Sequence, residues 1–210
     1  PKQDCIHLHS GQFFLMTNPR STYGPHMRRR LAAAGAAYRR LRPALRQPGS
    51  VRTRAMLYRM YVLPALIYGV ADVCALSETD LRPLATAHND YLRRITGLWR
   101  RPDGTLFPLQ QLFTAAQTPS LHAVLDCARL TRLGHVARMP DTSVVKQLLF
   151  ALSIVGVDLP RGGPRRTWQR TALDSLERAG GQLAGWYRAA RAEDRGPWRK
   201  LCIAARSMPD

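Results

Sequence analysis

The sequence has few acidic residues and almost no lysine. In 210 residues, Asp and Glu number 14 against 32 Lys plus Arg, which gives a formal net charge of +18 at pH 7. Only Lys2, Lys146 and Lys200 are lysines, so 29 of the basic residues are arginines. A GC-rich genome could explain the choice of Arg over Lys, but not the shortage of acids. A charge of this sign and size favours polyanionic partners, and the planar guanidinium group suits phosphate.

Long apolar runs are also missing. The longest run of apolar residues, residues 60–71, holds 12 residues and includes Pro64 and Gly69, whereas a membrane-spanning helix needs about 20. The N-terminal "PKQDCIHLHSGQFFLM" lacks both the continuous apolar core of a signal peptide and an initiator Met. The sequence therefore predicts no membrane helix or membrane partner, and it indicates a fragment or processed product of a longer chain.

Cysteines are few and scattered. Cys5, Cys74, Cys127 and Cys202 include no pair at metal-ligand spacing, which is typical of reduced thiols in an intracellular protein. Cys127 and His135 lie eight residues apart, and no second pair follows at the spacing of a zinc finger. We therefore predict neither a metal nor a cofactor. The predicted location is intracellular, in the nucleus, the cytoplasm or an organelle.

Sequence motifs of self-sufficient enzymes are absent. Two-metal polymerases and nucleases need clustered carboxylates, but only Glu78 with Asp80 and Glu193 with Asp194 lie close together here. The sequence contains no phosphate-binding loop, no G-x-S-x-G and no H-E-x-x-H. The chain as it stands is therefore not predicted to be an enzyme.

The sequence does contain a series of amphipathic helical patterns, beginning with residues 26–47. Apolar residues recur there every three or four positions and form one stripe: Met27, Leu31, Ala34, Tyr38, Leu41 and Leu45. Arg28, Arg29, Arg39, Arg40 and Arg46 point away from this stripe. One face is thus predicted to pack and the other to be cationic, with Pro43 kinking or ending the helix near Leu41.

The next predicted helix follows Ser50, which can cap it. The stretch "VRTRAMLYRMYVLPALIYG" is apolar on all sides in its second half, so we predict that this helix enters the core. Its shared face carries Leu57, Met60, Tyr61, Pro64 and Tyr68.

Residues 77–97 give the clearest helical pattern of the chain. "SETD" has the form of a capping box, and Gly97 can end the helix. The apolar stripe consists of Leu81, Leu84, Ala85, His88, Leu92 and Ile95, which places His88 in the core. Arg93 and Arg94 add positive charge at the C-terminal end, where the helix dipole favours it, and both are candidate contacts to nucleic acid.

The remainder is also predicted to be mainly helical. Shorter helices are predicted at "LQQLFTAAQ", from Leu121 to Pro140, at "TSVVKQLLFAL", and around residues 168–179 and 183–192. "GVDLPRGGPRR", residues 156–166, predicts a basic linker. Residues 1–25 predict an irregular segment, in which only "CIHLH" or "QFFLM" could form a strand.

The stretch "RLTRLGHVARMP", residues 129–140, contains several candidate contacts. Arg129, Arg132 and Arg138 could follow a phosphate backbone or lie on a solvated face, and the shortage of acids favours phosphate binding. His135 could contact nucleic acid. Alternatively it could be a packing histidine beside Gly134, whose missing side chain lets a neighbouring helix approach, and the pattern favours packing.

Two further groups of residues invite a nucleic-acid interpretation. Trp168, Trp186 and Trp198 lie near basic residues and could stack on unpaired bases, although burial in a small helical core is the favoured alternative. The linker arginines Arg161, Arg165 and Arg166 could fold onto RNA as a flexible arm.

Six stretches in order resemble one protein family. They are "MRRRLAAAGAAYRRL", "LYRMYVLPALIYGVADVCAL", "LATAHNDYLRRITGL", "RLTRLGHVARMP" followed by "KQLLF", "GGPRRTWQRTALDSL" and "AEDRGPWRKL". Together they are similar to the region downstream of the catalytic palm in the reverse transcriptases of non-LTR (LINE-type) retrotransposons. The resemblance covers about residues 26–203.

The resemblance implies a thumb and C-terminal region without a catalytic palm, since the family's Tyr-x-Asp-Asp motif is absent. It implies a thumb-like helical bundle over 26–105, a helical region over 106–155 and, after the linker, a small terminal helical subdomain over 167–210. The first helix would lie against the template-primer duplex and recognise its shape and phosphates. The implied partners are RNA or an RNA/DNA duplex and the rest of a reverse transcriptase.

Two other interpretations stay open. The chain could be a retrotransposon-derived basic scaffold protein that binds RNA in a ribonucleoprotein particle. It could also be a relic of such an element that has no function.

Overall fold

The computed structural model describes residues 24–72, 76–154 and 168–207. Its helices are α1 (Gly24–Arg46), α2 (Val51–Leu57), α3 (Leu63–Ile67), α4 (Glu78–Thr96), α5 (Leu109–Ala116), α6 (Leu121–Arg138), α7 (Val144–Ile154), α8 (Trp168–Arg178), α9 (Trp186–Arg191) and α10 (Gly196–Ser207). Extended pairing in the described residues is limited to an isolated bridge between Arg100 and Leu106. The mainly α fold predicted from the sequence is confirmed.

Some predictions concern residues outside those described. They are the strand candidates "CIHLH" and "QFFLM" and the linker 156–166 with Arg161, Arg165 and Arg166. Of the segment predicted to be irregular, residues 24 and 25 belong to α1.

The described residues divide into two compact units. The first unit comprises 24–68 and 76–123, and the second comprises 69–72, 124–154 and 168–207. The division falls within α6, whereas the boundary predicted from the sequence lies near residue 105. Helix α5 belongs to the first unit because it packs against α4. The residues assigned to a separate terminal subdomain share one core with α6 and α7.

Helix α1 is long and amphipathic, as its sequence pattern predicts. Met27, Ala34 and Leu45 from the predicted stripe are buried. Pro43 lies inside the last turn, and the helix continues to Arg46 rather than ending near Leu41. A proline this close to a helix end removes one backbone hydrogen bond without preventing the final turn.

The stretch after Ser50 is helical, but its buried face differs from the prediction. Ser50 caps α2, its hydroxyl accepting a hydrogen bond from the Thr53 N–H at 3.1 Å. The face expected in the core is exposed, with relative exposures of 57% for Met60, 53% for Tyr61 and 57% for Tyr68. The buried residues are instead Ala55, Tyr58, Val62, Leu63 and Leu66.

The buried face also has regular helical spacing. Ala55, Tyr58, Val62 and Leu66 follow one another at intervals of three, four and four residues, on the side opposite the predicted face. A π-helical turn spans Tyr58–Val62, between α2 and α3. Pro64 lies just beyond the turn and cannot donate to the Met60 carbonyl, as an α-helix would require.

Helix α4 has the ends and the buried face that its sequence predicts. The Ser77 hydroxyl accepts from the Asp80 N–H, and the Asp80 carboxylate accepts from the Ser77 N–H at 3.0 Å. Gly97 ends the helix with a φ of 78°, in the left-handed region that favours glycine. From the predicted stripe, Leu81, Leu84, His88, Leu92 and Ile95 are buried.

His88 lies in the core of the first unit, as predicted. Its Nδ1 is 2.7 Å from the Tyr58 hydroxyl oxygen, and its Nε2 is 3.0 Å from the Pro119 carbonyl oxygen. Because a carbonyl only accepts, we assign the ring proton to Nε2, and Nδ1 then accepts from Tyr58. Burial, with a smaller contribution from Tyr91, raises the pKa of Tyr58 well above its usual value and keeps this donor protonated. The neutral ring thus joins the π turn, α4 and the segment before α6.

The second unit has a core built from five helices. It includes Leu130, Leu133, Val136, Ala137, Leu149, Phe150, Trp168, Ala172, Leu176, Ala179, Ala190, Trp198, Cys202 and Ala205. All except Ala179, which directly follows α8, come from α6 to α10. Helix α10, which was not predicted from the sequence, supplies three of them.

Candidate nucleic-acid interface

Four of the predicted arginines lie on the solvent side of α1. Arg28, Arg29, Arg39 and Arg40 are exposed, whereas Met27, Ala34 and Leu45 are buried on the opposite side of the helix. The two arginine pairs are 11 residues apart, which is roughly 16 Å along a helix axis. We call these four residues the α1 arginines.

No acid in the described part of the chain neutralises the α1 arginines. Within the described residues, none of the four forms an ion pair. The pKa of the neighbouring His26 is lowered. Burial is the largest cause, and the positive charges of Arg30 and Arg29 add to it. This part of α1 therefore presents uncompensated positive charge to solvent.

Arg93 and Arg94 are adjacent in α4 but have different environments. Arg93 is buried, and its Nη1 donates to the carbonyl oxygens of Leu98 at 3.3 Å and Phe107 at 3.4 Å. Its position on the inner face of α4 gives it a structural role, which corrects its selection as a surface contact. Arg94 is exposed.

A basic recess lies between the C-terminal parts of α1 and α4. It has a volume of about 240 Å³ and is lined by Tyr38, Arg42, Leu45, Arg46, Arg94 and Ile95. Its three arginines are exposed and, within the described residues, form no ion pair. Of these three arginines, only Arg94 was predicted from the sequence to contact nucleic acid. The one-turn spacing of Arg42 and Arg46 was a usable signal, but their convergence with Arg94 depends on how α1 packs against α4.

In the second unit, acidic side chains neutralise two arginines that were predicted to face solvent. Arg129 is 5% exposed, and its Nη1 donates to Oδ1 of Asp126 at 3.1 Å. Arg132 forms an ion pair with the buried Asp72. This corrects the expectation that too few acids were available, because one partner lies in the same helix and the other comes from 60 residues earlier in the chain.

Asp126 is the centre of a larger cluster. Besides Arg129, its carboxylate accepts from the Ser175 hydroxyl at 2.8 Å and from Nε and Nη2 of Arg178, both at 2.8 Å. Burial opposes its ionisation, but the hydrogen bonds from Arg178 and Ser175 and the charges of Arg178 and Arg129 outweigh burial and lower its pKa. The cluster therefore fastens α6 to α8.

Arg138 belongs to a second basic cluster. Its Nη1 donates to the Ala190 carbonyl at 2.8 Å, so part of its hydrogen-bonding capacity is already used within the protein. Partial burial, and then the nearby charges of Arg195 and Arg199, lower its pKa. Arg195 and Arg199 are exposed and were not selected from the sequence.

Gly134 and His135 are adjacent but lie in different environments, which the sequence alone could not distinguish. His135 is exposed, so the packing interpretation favoured for it is wrong. Gly134 is buried, and a Cβ built there would overlap the indole of Trp198. The close approach of a neighbouring helix at Gly134 is thus confirmed, with α10 as that helix.

The tryptophans mainly serve packing, as the sequence favoured. Trp168 and Trp198 are each 4% exposed. The indole N–H of Trp168 donates to the Ala71 carbonyl at 2.9 Å, and that of Trp198 donates to the Leu130 carbonyl at 3.2 Å. Trp186 is partly buried against the same core. Buried, hydrogen-bonded indoles are not available for stacking on bases.

Two general findings apply to the described part of the chain. It contains no group of three or more His, Cys, Asp or Glu side chains arranged to hold a metal ion. None of its helices is both long enough and apolar enough to cross a membrane.

Comparison with protein-family models, curated proteins and solved structures found no significant match.

Proposed function

We propose that this chain binds RNA or an RNA/DNA duplex, as the thumb and C-terminal part of a non-LTR retrotransposon reverse transcriptase. In this proposal the chain holds the nucleic acid, and a palm elsewhere in the polypeptide performs polymerisation. The chain would act inside the cell. The free thiols of Cys127 and Cys202 agree with a reducing compartment.

The observation that carries the proposal is the set of α1 arginines. Four exposed guanidinium groups lie opposite the buried face of one helix, and no described acid pairs with them. Guanidinium groups that are not neutralised within a protein attract phosphates and can bind them through two hydrogen bonds each. The net charge of +18 provides long-range attraction to the same partner.

We expect α1 to recognise the shape and the phosphates of the duplex rather than its base sequence. The major groove of an A-form duplex is deep and narrow, so arginines on a regular helix contact the phosphate backbone more readily than the base edges. Arg94, Arg138 and His135 are exposed or partly exposed and are secondary candidates. Affinity should then depend steeply on salt and weakly on base sequence.

Fluorescence anisotropy with labelled RNA, an RNA/DNA duplex and heparin as competitor tests the proposal. The test variant replaces Arg28, Arg29, Arg39 and Arg40 with Gln. The matched control replaces four other exposed arginines, Arg52, Arg82, Arg188 and Arg206, and so removes the same charge. We expect the test variant to bind more weakly than the control, with a salt dependence reduced by about 0.9 for each phosphate that is no longer bound.

Three results bear on the alternatives. Equal losses of affinity in both variants, or binding to the duplex no stronger than to heparin, would contradict the proposal. Copurification with one stable RNA particle would instead support the scaffold interpretation. An in-frame Tyr-x-Asp-Asp palm upstream in the same gene would support the origin in a reverse transcriptase.

A further inference from the structure

We infer that the basic recess between α1 and α4 is a binding site for a single phosphate group of a polynucleotide. The inference rests on the proposed nucleic-acid binding and assigns one phosphate to Arg42, Arg46 and Arg94. Two of these arginines lie outside the set selected from the sequence.

The charge of the recess selects an anion. Two arginines from α1 and one from α4 line it, together with the uncharged side chains of Tyr38, Leu45 and Ile95. Asp90 lies one turn before Arg94 in α4, but it does not form an ion pair with it. Three positive groups at one site repel one another unless an anion lies between them, and a tetrahedral phosphate can accept hydrogen bonds from several guanidinium groups at once.

The size and lining of the recess also suit a phosphate. Its volume of about 240 Å³ is several times the roughly 30 Å³ that one water occupies in the liquid, which leaves room for a phosphate and part of its hydration shell. Leu45 and Ile95 are 7% and 2% exposed, so the floor of the recess is apolar. An apolar floor reduces local screening and strengthens the interaction between guanidinium and phosphate.

The position of the recess connects it with the α1 arginines. Arg39 Nη1 and the Tyr91 hydroxyl oxygen lie 3.5 and 3.7 Å from the position of a Cβ built on Gly35, so both side chains lie over the same part of α1. Burial raises the pKa of Tyr91, and the charges of Arg94 and Arg39 oppose this rise. The Tyr91 ring packs against the Tyr38 ring with centroids 4.7 Å apart. Arg39 therefore lies beside the recess, and a strand that contacts the α1 arginines can place a neighbouring phosphate in it.

Two measurements on the full chain test the inference. First, the arginine reagent phenylglyoxal is used with and without a bound oligonucleotide, and mass spectrometry measures the modification of each arginine. Second, anisotropy compares wild type with the recess variant R42Q/R46Q/R94Q and with the control R52Q/R82Q/R206Q, which loses the same charge from exposed positions. Circular dichroism and thermal unfolding confirm that each variant is folded.

We expect the oligonucleotide to protect Arg42, Arg46 and Arg94 more than Arg52 and Arg82. The recess variant should bind about ten-fold or more weakly than the control, as expected when charge-assisted hydrogen bonds are removed. Oligonucleotides with a 5′-phosphate and with a 5′-hydroxyl distinguish the source of the group. A preference for the 5′-phosphate that disappears in the recess variant assigns the site to a terminal phosphate, and equal binding of both assigns it to an internal phosphodiester.

Failure of the inference can be separated from failure of the proposed function. If wild type binds the oligonucleotide but the recess arginines are not protected, or the recess variant binds like its control, the recess assignment is overturned and nucleic-acid binding stands. If wild type binds no oligonucleotide at low salt, both are overturned.

Discussion

Replacing Asp126 with Ala should strongly destabilise the second unit. The substitution removes a carboxylate that accepts hydrogen bonds from Arg129, Ser175 and Arg178. Arg129 would keep its charge in a site that is only 5% exposed, without its carboxylate partner. Arg178 would be affected less, because its side chain is 54% exposed and can be hydrated.

The magnitude follows from this difference in exposure. Removing one partner of a buried ion pair costs about 3–5 kcal/mol, mainly because the remaining charge stays buried. Almost all of this cost arises at Arg129, which cannot reach solvent without disturbing the helix packing. The pair between Arg170 and Asp174 is the matched control, since its side chains are 62% and 34% exposed. Exposed pairs four residues apart in a helix contribute about 0.3–0.5 kcal/mol.

Urea unfolding followed by circular dichroism measures both effects. Asp126→Ala should lower the free energy of unfolding by several kcal/mol, and Asp174→Ala should lower it by well under one. The double variant D126L/R129M should be more stable than Asp126→Ala, because an apolar pair replaces the unpaired charge. If Asp126→Ala and Asp174→Ala have the same small effect, the reasoning about the buried cluster is wrong.

The same cluster predicts a pH dependence. The pKa of Asp126 is lower in the folded protein than its ordinary value, so its ionised form stabilises the fold. This stabilisation is fully present above the pKa of the unfolded chain, about 4, and is lost as the pH falls through the folded pKa. The difference in unfolding free energy between wild type and Asp126→Asn should therefore be constant near neutral pH and shrink below about pH 4.

Three further substitutions test the packing and the helix ends. Gly134→Ala should lower the stability of the second unit by about 1–3 kcal/mol in thermal unfolding, because the new methyl group overlaps Trp198. The control Gly35→Ala adds a methyl group that makes only ordinary contacts in α1, so it should be neutral or stabilise the protein by up to about 1 kcal/mol. Tyr58→Phe should cost about 1–3 kcal/mol in urea unfolding because it leaves the buried His88 Nδ1 without its donor, and the exposed Tyr61→Phe should cost almost nothing. Ser77→Ala should cost about 0.5–2 kcal/mol through loss of the capping box, and an equal cost for Thr79→Ala in the same first turn would contradict that explanation.

The sequence predicted those features that depend on neighbouring residues. The ends of α4 were predictable because Ser77, Asp80 and Gly97 act within a turn of the helix they limit. The buried position of His88 followed from its place on a regular apolar stripe. The exposed face of Met60 and Tyr61 was missed because this stretch is apolar on all sides in its second half, so regular helical spacing fits either face.

Features that depend on distant partners were not predictable from one sequence. Arg132 looked like a surface charge because its partner Asp72 lies 60 residues earlier in the chain. The partner of Arg129, Asp126, is only three residues away, but Ser175 and Arg178, which complete the cluster around Asp126, come from α8. The basic recess requires α1 and α4 to pack with their C-terminal parts together. For the candidate interface, the sequence therefore supplied the α1 arginines and Arg94 and placed Arg46 on the cationic face of the first helix. The fold added Arg42 and brought it together with Arg46 and Arg94.

The contact between Gly134 and Trp198 also constrains how this protein can change during evolution. The indole occupies the volume that any side chain at position 134 would need, and its N–H is hydrogen-bonded to Leu130. A homologue that carries alanine or a larger residue at position 134 should therefore carry a smaller residue than tryptophan at position 198. Paired replacement at these two positions would be the evolutionary record of α10 packed against α6.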